Sequence, residues 1–197
     1  MSADPETIAV YDAKTAQYAA MIDKGGQPPQ LTAFIAALPA GAQVLDLGCG
    51  TGSAAAAMRD HGLNVSALDA SVEMVALAKQ RYDLDVTLGT FDDLQDHNQY
   101  DGIWANFSLL HAPRADMPRH LEAIARALKS GGLFSLGLKA GTGEARDSLG
   151  RKYTYYEEEE LKAILTDAGF TVTHVTTGEE AGLSGEIAPW ITMDCHA

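Results

Sequence analysis

Apolar residues recur along this chain with two different periods. From Gln43 onward, short runs of apolar and β-branched residues predict strands near residues 43–47, 64–69, 85–88, 101–106, 132–139, 171–177 and 189–195. Between these runs, apolar positions at helical spacing predict helices near residues 51–61, 71–82, 116–129 and 157–168. Strands that alternate with helices are typical of βαβ units, so the sequence predicts an α/β fold whose seven-stranded sheet is mostly parallel.

Two further helices are predicted before the first strand, over residues 4–24 and 30–38, with a Gly/Pro-rich break between them. Ser71 is expected to be the N-cap of a later helix. Three glycine positions are predicted to end helices, namely Gly62, Gly131-Gly132 and Gly169. The segment 140–154 contains no predicted element, and long irregular connections of this kind often carry function.

Composition limits the class of protein. A chain of 197 residues with 46% hydrophobic residues suits one domain with one core. No secretory leader and no run of about 18 apolar residues is found, so we expect a cytoplasmic protein without a membrane partner. The net charge of -13 disfavours a nucleic-acid partner, because phosphate backbones attract cations. A small molecule is therefore the expected substrate.

The two cysteines, Cys49 and Cys195, have no Cys or His partners at the spacing of metal ligands. We therefore expect neither a bound metal nor a disulfide framework. The sequence leaves the oligomeric state open.

The strongest chemical signal is a glycine-rich turn after the first strand. It reads Val44-Leu45-Asp46-Leu47-Gly48-Cys49-Gly50-Thr51-Gly52 and leads into a helix of small residues. Glycines at a helix N-terminus let a ligand approach the backbone closely. Asp69 ends the second strand 21 residues after Gly48, where a carboxylate accepts hydrogen bonds from ribose hydroxyls. Together these features predict an adenosine-containing cofactor, although a glycine turn alone would also fit an ordinary structural turn.

Several motifs together carry a resemblance to a known family. They are the glycine turn, Leu68-Asp69-Ala70-Ser71 with Met74, Tyr100-Asp101-Gly102-Ile103, and Leu128-Lys129-Ser130-Gly131-Gly132. Over roughly residues 40–139 the chain resembles the class I S-adenosylmethionine-dependent methyltransferases. The resemblance implies a Rossmann-like fold with helices on both faces of the sheet and N-terminal capping helices. It also implies S-adenosylmethionine as the methyl donor, S-adenosylhomocysteine as the product, and direct displacement as the reaction.

On this basis residues 1–197 are predicted to form a single methyltransferase domain. Its expected parts are an N-terminal helical cap (1–40), a cofactor-binding core (41–139), and a substrate-side loop with a C-terminal αββ portion (140–197).

The resemblance implies roles for individual residues. The expected cofactor contacts in the core are Asp46, Gly48, Cys49, Gly50, Gly52, Asp69, Ala70, Asn106 and Phe107. The acid matching Asp46 would bind the ammonium group, Asp69 would take the ribose hydroxyls, and Ala70 would border the adenine. Asn106 and Phe107 would supply backbone contacts to the methionine portion.

Near the adenine, the sequence departs from the family pattern. Many relatives carry Gly-Asp-x-x-x-Leu after the third strand, whereas this chain reads Gly89-Thr90-Phe91-Asp92-Asp93-Leu94. The preferred interpretation is that Asp92 contacts the adenine amino group with Phe91 beside the ring. The alternative is a contact from the backbone of Thr90.

Methyl transfer from a sulfonium needs alignment and a dry pocket more than a strong catalytic residue. His111, just after the fourth strand, is the candidate general base. It could equally be a structural histidine that bonds to backbone. Of the other histidines, His61, His97 and His120 are predicted to lie at the surface.

The residues predicted to contact the methyl acceptor come from the two ends of the predicted domain. They are Tyr11, Tyr18, Lys139, Arg146, Arg151 and Tyr153. A guanidinium in the 140–154 segment would clamp an anionic acceptor, or it would pair with Glu144 or Asp147 and fix the loop. The two N-terminal tyrosines would cover the cofactor or pack against the domain. Trp190, in the last strand, is expected in the core.

Two other functions share these features. A NAD-dependent oxidoreductase has the same sheet and ribose acid, but its Gly-x-Gly-x-x-Gly fingerprint places the third glycine where this chain has Ser53. A non-catalytic module would bind S-adenosylmethionine without turnover.

Overall fold

The computed structural model describes residues 4–197, so the first three residues of the predicted N-terminal cap lie outside the described residues. The helices are α1 (Pro5–Gly25), α2 (Pro29–Ala36), α3 (Ser53–Asp60), α4 (Val72–Tyr82), α5 (Met117–Ala127) and α6 (Glu158–Asp167). The strands are β1 (Gln43–Leu47), β2 (Asn64–Asp69), β3 (Thr87–Leu88), β4 (Tyr100–Asn106), β5 (Leu128–Lys139), β6 (Glu144–Arg146), β7 (Lys152–Thr154), β8 (Thr171–Ala181) and β9 (Ile187–His196).

Seven strands form one sheet in the order β3-β2-β1-β4-β5-β9-β8. The first five are parallel, whereas β9 runs antiparallel to both β5 and β8. The predicted mostly parallel sheet is confirmed. The chain moves outward from β1 to β3 and then returns on the other side of β1 to form β4. The connections that leave β1 and β4 therefore diverge and open a crevice at their carboxyl ends, where α/β folds bind ligands.

Helices cover both faces of this sheet, as expected. Leu121 of α5 and Leu161 of α6 belong to the core on one face. Phe34 of α2 and Met58 of α3 pack with Trp104 of β4 on the other. Because side chains alternate along a strand, each central strand contributes to both cores. The rigid double-sided sheet fixes the strand ends that form the crevice.

Local signals explain several helix ends. The Oγ atom of Ser71 accepts a hydrogen bond from the Met74 N–H at 3.1 Å, which confirms the predicted N-cap. Gly62 and Gly169 have φ of 88° and 94° and directly follow the C-caps of α3 and α6, as predicted.

The prediction for Gly131-Gly132 is wrong, because α5 already ends at Ala127 and β5 begins at Leu128. The last carbonyls of α5, at Arg126 and Ala127, accept hydrogen bonds from the N–H groups of residues 98 and 99. Leu128 pairs with Tyr100 in the sheet. Strand pairing, which is a long-range effect, thus ends the helix before the glycines are reached.

Two C-terminal segments are more regular than predicted. The segment 140–154, predicted to be irregular, contains β6 and β7, which pair as a two-stranded antiparallel sheet. The β8–β9 hairpin extends beyond both predicted strands, and its pairing continues as far as Ala181 and Ile187. No helix within residues 4–197 combines the length and the apolar character needed to cross a bilayer.

Candidate functional site

A cavity of about 630 Å³ lies at the carboxyl ends of β1, β2 and β4, and α1 covers it. This volume is in the range of small-molecule sites. The predicted site residues that line it are Tyr11, Tyr18, Asp46, Gly48, Cys49, Gly50, Asp69, Ala70, Phe91, Asn106, Phe107 and His111. Three predicted site residues line neither this cavity nor the smaller one beside it, namely Gly52, Asp92 and Arg146.

The turn after β1 contains Gly48, Gly50 and Gly52, all with positive φ between 51° and 79°. Their structural roles differ. A Cβ atom on Gly48 would lie 2.3 Å from the Cβ of Ser108, and one on Gly52 would lie 2.8 Å from the Cβ of Ala78. Packing therefore requires glycine at both positions. A Cβ on Gly50 would meet only the Tyr18 ring, at 3.5 Å, so this glycine presents its backbone to the cavity.

Asp46 is a buried carboxylate without a complete set of partners. Its side chain is 2% exposed, and its Oδ2 atom has no hydrogen-bond partner among the described residues. Burial, together with the charge of nearby Asp69, raises the pKa of Asp46 to about 7. A cationic ligand group in the cavity would satisfy this oxygen.

Asp69 holds the glycine turn against the end of β2. Its Oδ2 atom accepts the Gly50 N–H at 2.7 Å, and its Oδ1 atom accepts the Ser71 N–H at 2.9 Å. Burial raises the pKa of Asp69, and these backbone hydrogen bonds oppose the rise. Each carboxylate oxygen can accept a second hydrogen bond, so the group can also receive ligand hydroxyls.

Phe91 and Thr90, in the turn after β3, are also part of the cavity lining. The N–H of Thr90 is occupied by the Oδ2 atom of Asp93 at 2.7 Å. Asp92 forms an ion pair with Arg119 on α5 instead of facing the cavity. Of the preferred pair, the structure thus brings Phe91 to the cavity and directs the Asp92 carboxylate to Arg119.

The surface prediction for His120 is wrong. His120 lies on α5, is 2% exposed, and its ring centroid lies 5.5 Å from that of Phe91. The helix turns this residue toward the sheet together with Leu121 and Ile124, a placement that follows from helical periodicity.

The end of β4 has an unusual backbone. Phe107 has a φ of 56°, a conformation that residues other than glycine adopt rarely and that clusters at functional sites. Its N–H donates to the carbonyl of Gly137 on β5 at 2.8 Å. A Cβ atom on Gly137 would lie 2.1 Å from the Oδ1 atom of Asn106, so the bare backbone at this position makes room for the asparagine.

His111 uses both ring nitrogens within the protein. The carbonyl of Lys152 lies 2.6 Å from Nδ1 and can only accept, so Nδ1 carries the proton. The Nε2 atom then accepts the hydroxyl of Tyr11 at 2.9 Å. Nη1 of Arg151 donates to the same hydroxyl oxygen at 3.0 Å, and Asp147 neutralises this buried arginine at 2.6 Å. Burial, aided by the charge of Arg151, lowers the pKa of His111 to about 4, so the imidazole is neutral at pH 7.

Further polar contacts hold α1 over the cavity. The Asp12 carboxylate accepts the Ser71 hydroxyl at 2.5 Å, and the Thr7 hydroxyl oxygen accepts the Lys152 N–H at 2.8 Å. Arg146, exposed at the surface, pairs with Asp4 at the start of α1 at 2.9 Å. The two arginines of the 140–154 segment are therefore both paired with acids, Arg151 with the expected Asp147 and Arg146 with Asp4, the N-cap of α1.

Sequence reasoning missed the contribution of the β8–β9 hairpin. Its residues Glu180 and Gly182 line the cavity. Trp190 of β9, predicted to be in the core, is half-buried and lines a smaller adjoining cavity of about 90 Å³. No motif marks these residues, and only the true length of the hairpin reveals them. Within residues 4–197, no group of three or more His, Cys, Asp or Glu side chains is arranged to hold a metal ion.

Residues 44–132 match the sequence profile of the family described as methyltransferase domain. An uncharacterized methyltransferase of Staphylococcus carnosus is 27% identical over 158 residues, which are 72% of this chain and 76% of that protein. The malonyl-[acyl-carrier protein] O-methyltransferase of Pectobacterium atrosepticum is 34% identical over 111 residues, which are 54% of this chain and only 43% of that protein.

A solved structure resembles the whole fold. The 1,6-didemethyltoxoflavin-N1-methyltransferase of Burkholderia thailandensis, with bound 1,6-didemethyltoxoflavin and S-adenosylhomocysteine, superimposes with a TM-score of 0.74 and is 24% identical. The match covers 100% of this chain and 91% of that chain, and at this identity the likeness concerns the fold.

Proposed function

This chain belongs to the class I S-adenosylmethionine-dependent methyltransferases, and from that premise we propose that its acceptor is a small molecule. The Burkholderia relative, which is similar over the whole chain, binds a small acceptor, 1,6-didemethyltoxoflavin. The net charge of -13 favours the same class, because it repels a nucleic-acid acceptor.

The observation that carries the cofactor assignment is the unpartnered carboxylate oxygen of Asp46 in the covered cavity. We assign the ammonium group of S-adenosylmethionine to Asp46 and the ribose hydroxyls to the remaining lone pairs of Asp69. The exposed backbone of Gly50 allows the ligand to approach between these two acids. Ala70 and Phe91 then border the adenine, and Asn106 and Phe107 border the methionine portion.

When bound, S-adenosylmethionine supplies a methyl group on a sulfonium, a leaving group that needs no further activation. The protein's part is to align the acceptor and to exclude water. Tyr11 and Tyr18 of α1 perform the second task, because they line the cavity from the helix that covers it.

We assign His111 the role of a positioning residue for Tyr11, in preference to that of a general base. The Nε2 lone pair is already occupied by the Tyr11 hydroxyl. A proton on this ring would also lie near the Arg151 guanidinium, and burial opposes it. An acceptor that is nucleophilic without losing a proton to the protein fits this arrangement.

Isothermal calorimetry with S-adenosylmethionine, S-adenosylhomocysteine and NAD tests the cofactor assignment. We expect the two sulfur compounds to bind with micromolar Kd values and NAD to give no heat. Asp69→Ala should weaken binding at least tenfold, since it removes charge-assisted hydrogen bonds, about 1.4 kcal/mol or more. Asp167→Ala, at an exposed acid on α6, is the matched control. Preferential binding of NAD would refute the assignment.

The acceptor class requires a second experiment, with methyl-labelled S-adenosylmethionine and a panel of small metabolites, free RNA and a protein extract. Label in a small molecule supports the proposal, and label only in RNA or protein refutes it. Tight cofactor binding with no labelled product from any source would indicate the non-catalytic module.

A further inference from the structure

A small recess adjoins the main cavity on the side of the β8–β9 hairpin. We call it the aromatic recess, and its lining includes Tyr11, Tyr18, Phe107, Lys139, Tyr153 and Trp190. Its volume is about 90 Å³, and the first three of these residues line the main cavity too. The recess therefore adjoins the space that we assign to the cofactor and shares these three residues with it.

The indole of Trp190 is placed in the recess by its neighbours in the sheet. Trp190 lies opposite Gly178 on β8, and a Cβ atom on Gly178 would come within 2.4 Å of the indole Cζ2 atom. The missing side chain at Gly178 gives the indole room to lie across β8. Its Nε1 atom is buried and has no hydrogen-bond partner among the described residues. A buried indole N–H is normally paired, so this donor lacks an acceptor.

Lys139 is the second unsatisfied donor, and it is the direct cross-strand neighbour of Trp190. Its side chain forms no hydrogen bond or ion pair with another residue in the range 4–197. The Nζ atom lies 4.2 Å from the ring centroid of Tyr153. The other cation of the recess, Arg151, is already neutralised by Asp147. Burial and the charge of Arg151 lower the pKa of Lys139, and the charges of Asp147, Glu186 and Glu180 only partly offset this.

The two donors and the rings around them identify the chemistry of a ligand. Aromatic side chains favour a flat partner, because offset and edge-to-face ring contacts add to the burial of apolar area. Lys139 and Trp190 are direct neighbours across β5 and β9, and an N–H group and an ammonium that both lack partners favour an acceptor with negative charge. Glu180, which also lines the recess, is exposed to water and forms no ion pair with Lys139 within residues 4–197, although its charge acts on the lysine.

We propose that the aromatic recess binds the methyl acceptor by one edge, and that this acceptor is a planar ring carrying an anionic oxygen held by Trp190 and Lys139. The inference rests on the proposed methyl transfer to a small molecule. A cavity of about 150 Å³ holds a benzene molecule, so a recess of about 90 Å³ takes only the oxygen-bearing edge of a ring. The opposite edge, with the atom to be methylated, then lies in the main cavity.

Benzoate is a suitable probe, with cyclohexanecarboxylate as the saturated anion and benzylamine as the planar cation. Calorimetry on the protein saturated with S-adenosylhomocysteine should give a millimolar or tighter Kd for benzoate. We expect binding of cyclohexanecarboxylate to be at least fivefold weaker and benzylamine to give no heat.

Two variants test whether benzoate binds in the aromatic recess. Lys139→Met should weaken benzoate binding at least tenfold, and Trp190→Phe, which keeps a ring but removes the N–H, should weaken it at least threefold. Neither should change the Kd of S-adenosylhomocysteine by more than twofold. Lys162→Met, on the exposed part of α6, is the matched control and should leave both affinities unchanged.

The outcomes separate this inference from the proposed function. Cofactor-loaded protein that does not bind benzoate, binds both anions equally, or binds benzoate equally well in both variants would overturn the inference and leave methyl transfer standing. Protein that fails to bind S-adenosylhomocysteine would overturn both.

Discussion

Asp46, to which we assign the ammonium group of the cofactor, would couple ligand binding to the release of a proton. Between pH 4 and 7 the folded protein holds a proton on Asp46 that the unfolded chain has lost, because the folded pKa is about 7 and the ordinary pKa of an aspartate is 3.8. The ligand-free protein therefore loses this stabilising contribution as the pH rises through 7. A bound ammonium group requires the ionised carboxylate, so ligand binding favours the form of the protein in which Asp46 has lost its proton.

Because Asp46 must lose its proton for the ammonium group to bind, we predict that affinity for S-adenosylhomocysteine falls as the pH drops below 7. The affinity should change by about tenfold per pH unit, since one proton must leave Asp46 when the ligand binds. Calorimetry at pH 5.5, 6.5 and 7.5, in two buffers with different ionisation enthalpies, measures both affinity and proton release. In Asp46→Asn, binding should be weak at every pH and release no proton from this site. A wild-type affinity that is constant across this range would place the ammonium group elsewhere.

His111 leads to a different pH dependence, this time of stability. Its pKa is about 4 in the folded protein and 6.5 in the unfolded chain, so the unfolded state takes up a proton first as the pH falls. Stability should therefore decline between pH 6.5 and 4 through this residue. Urea unfolding should show a weaker decline for His111→Gln than for wild type, whereas substitution of the exposed His97 should leave it unchanged.

Turnover provides the complementary test of His111. As a positioning residue that stays neutral, it should not add an ionisation near pH 6.5 to the kcat profile, and His111→Gln should keep the shape of that profile. A limb near pH 6.5 that disappears in the variant would instead identify a general base.

At the scale of elements, β4 and β5 meet where Gly137 lies beside Asn106. We predict that Gly137→Ala lowers affinity for S-adenosylhomocysteine at least fivefold, because its Cβ atom would displace the Asn106 amide, 2.1 Å away. Overpacking of this kind costs about 1–3 kcal/mol of folding free energy, so a lower midpoint of thermal unfolding should accompany the loss.

The control for this variant is Ala163→Ser, which also adds one atom, at an exposed position of α6 that lines neither cavity. It should leave affinity and midpoint unchanged. Normal cofactor affinity in Gly137→Ala would mean that the end of β4 at Asn106 does not contact the cofactor.

Local sequence determines the elements that were predicted well. The Ser71 cap, the Gly62 and Gly169 ends, and the alternating apolar runs depend on residues within a few positions of one another. The errors depend on distant pairing. Arg126 and Ala127 are capped by the segment before β4, and β8 extends to Ala181 because β9 continues beside it. Such contacts leave no periodic signal in the sequence.

The same division applies to the candidate site. Asp46, Asp69 and the glycine turn were predicted from a spacing that reflects a recurring way of binding adenosine, and Asp46, Gly50 and Asp69 line the cavity. Trp190 and Glu180 lie on the side that we assign to the acceptor, where shape varies with the ligand and no common spacing exists. The links from His111 to Tyr11 and from Arg151 to Tyr11 span 100 and 140 residues, so they emerge only from the folded chain.

For the whole molecule, the cavity joins distant parts of the chain, from Tyr11 near one end to Gly182 near the other. A ligand that binds there should stabilise these parts together, by about 2.7 kcal/mol at a concentration 100 times its Kd. We predict that S-adenosylhomocysteine slows amide hydrogen exchange in α1, the glycine turn and the tip of the β8–β9 hairpin at once. NAD serves as the control, and slower exchange confined to the glycine turn would show that α1 is not coupled to the site.

The way α1 lies over the cavity has a kinetic consequence. If S-adenosylhomocysteine occupies the cavity as proposed, its release requires contacts such as those of Asp12 with Ser71 and of Tyr11 with His111 to break. The non-helical backbone of Lys14 offers a point about which the first half of α1 can move. We predict that this opening, rather than chemistry, limits the rate of repeated turnover. Rapid mixing should reveal a burst of methylated product in the first cycle, followed by a slower steady rate that Asp12→Ala accelerates.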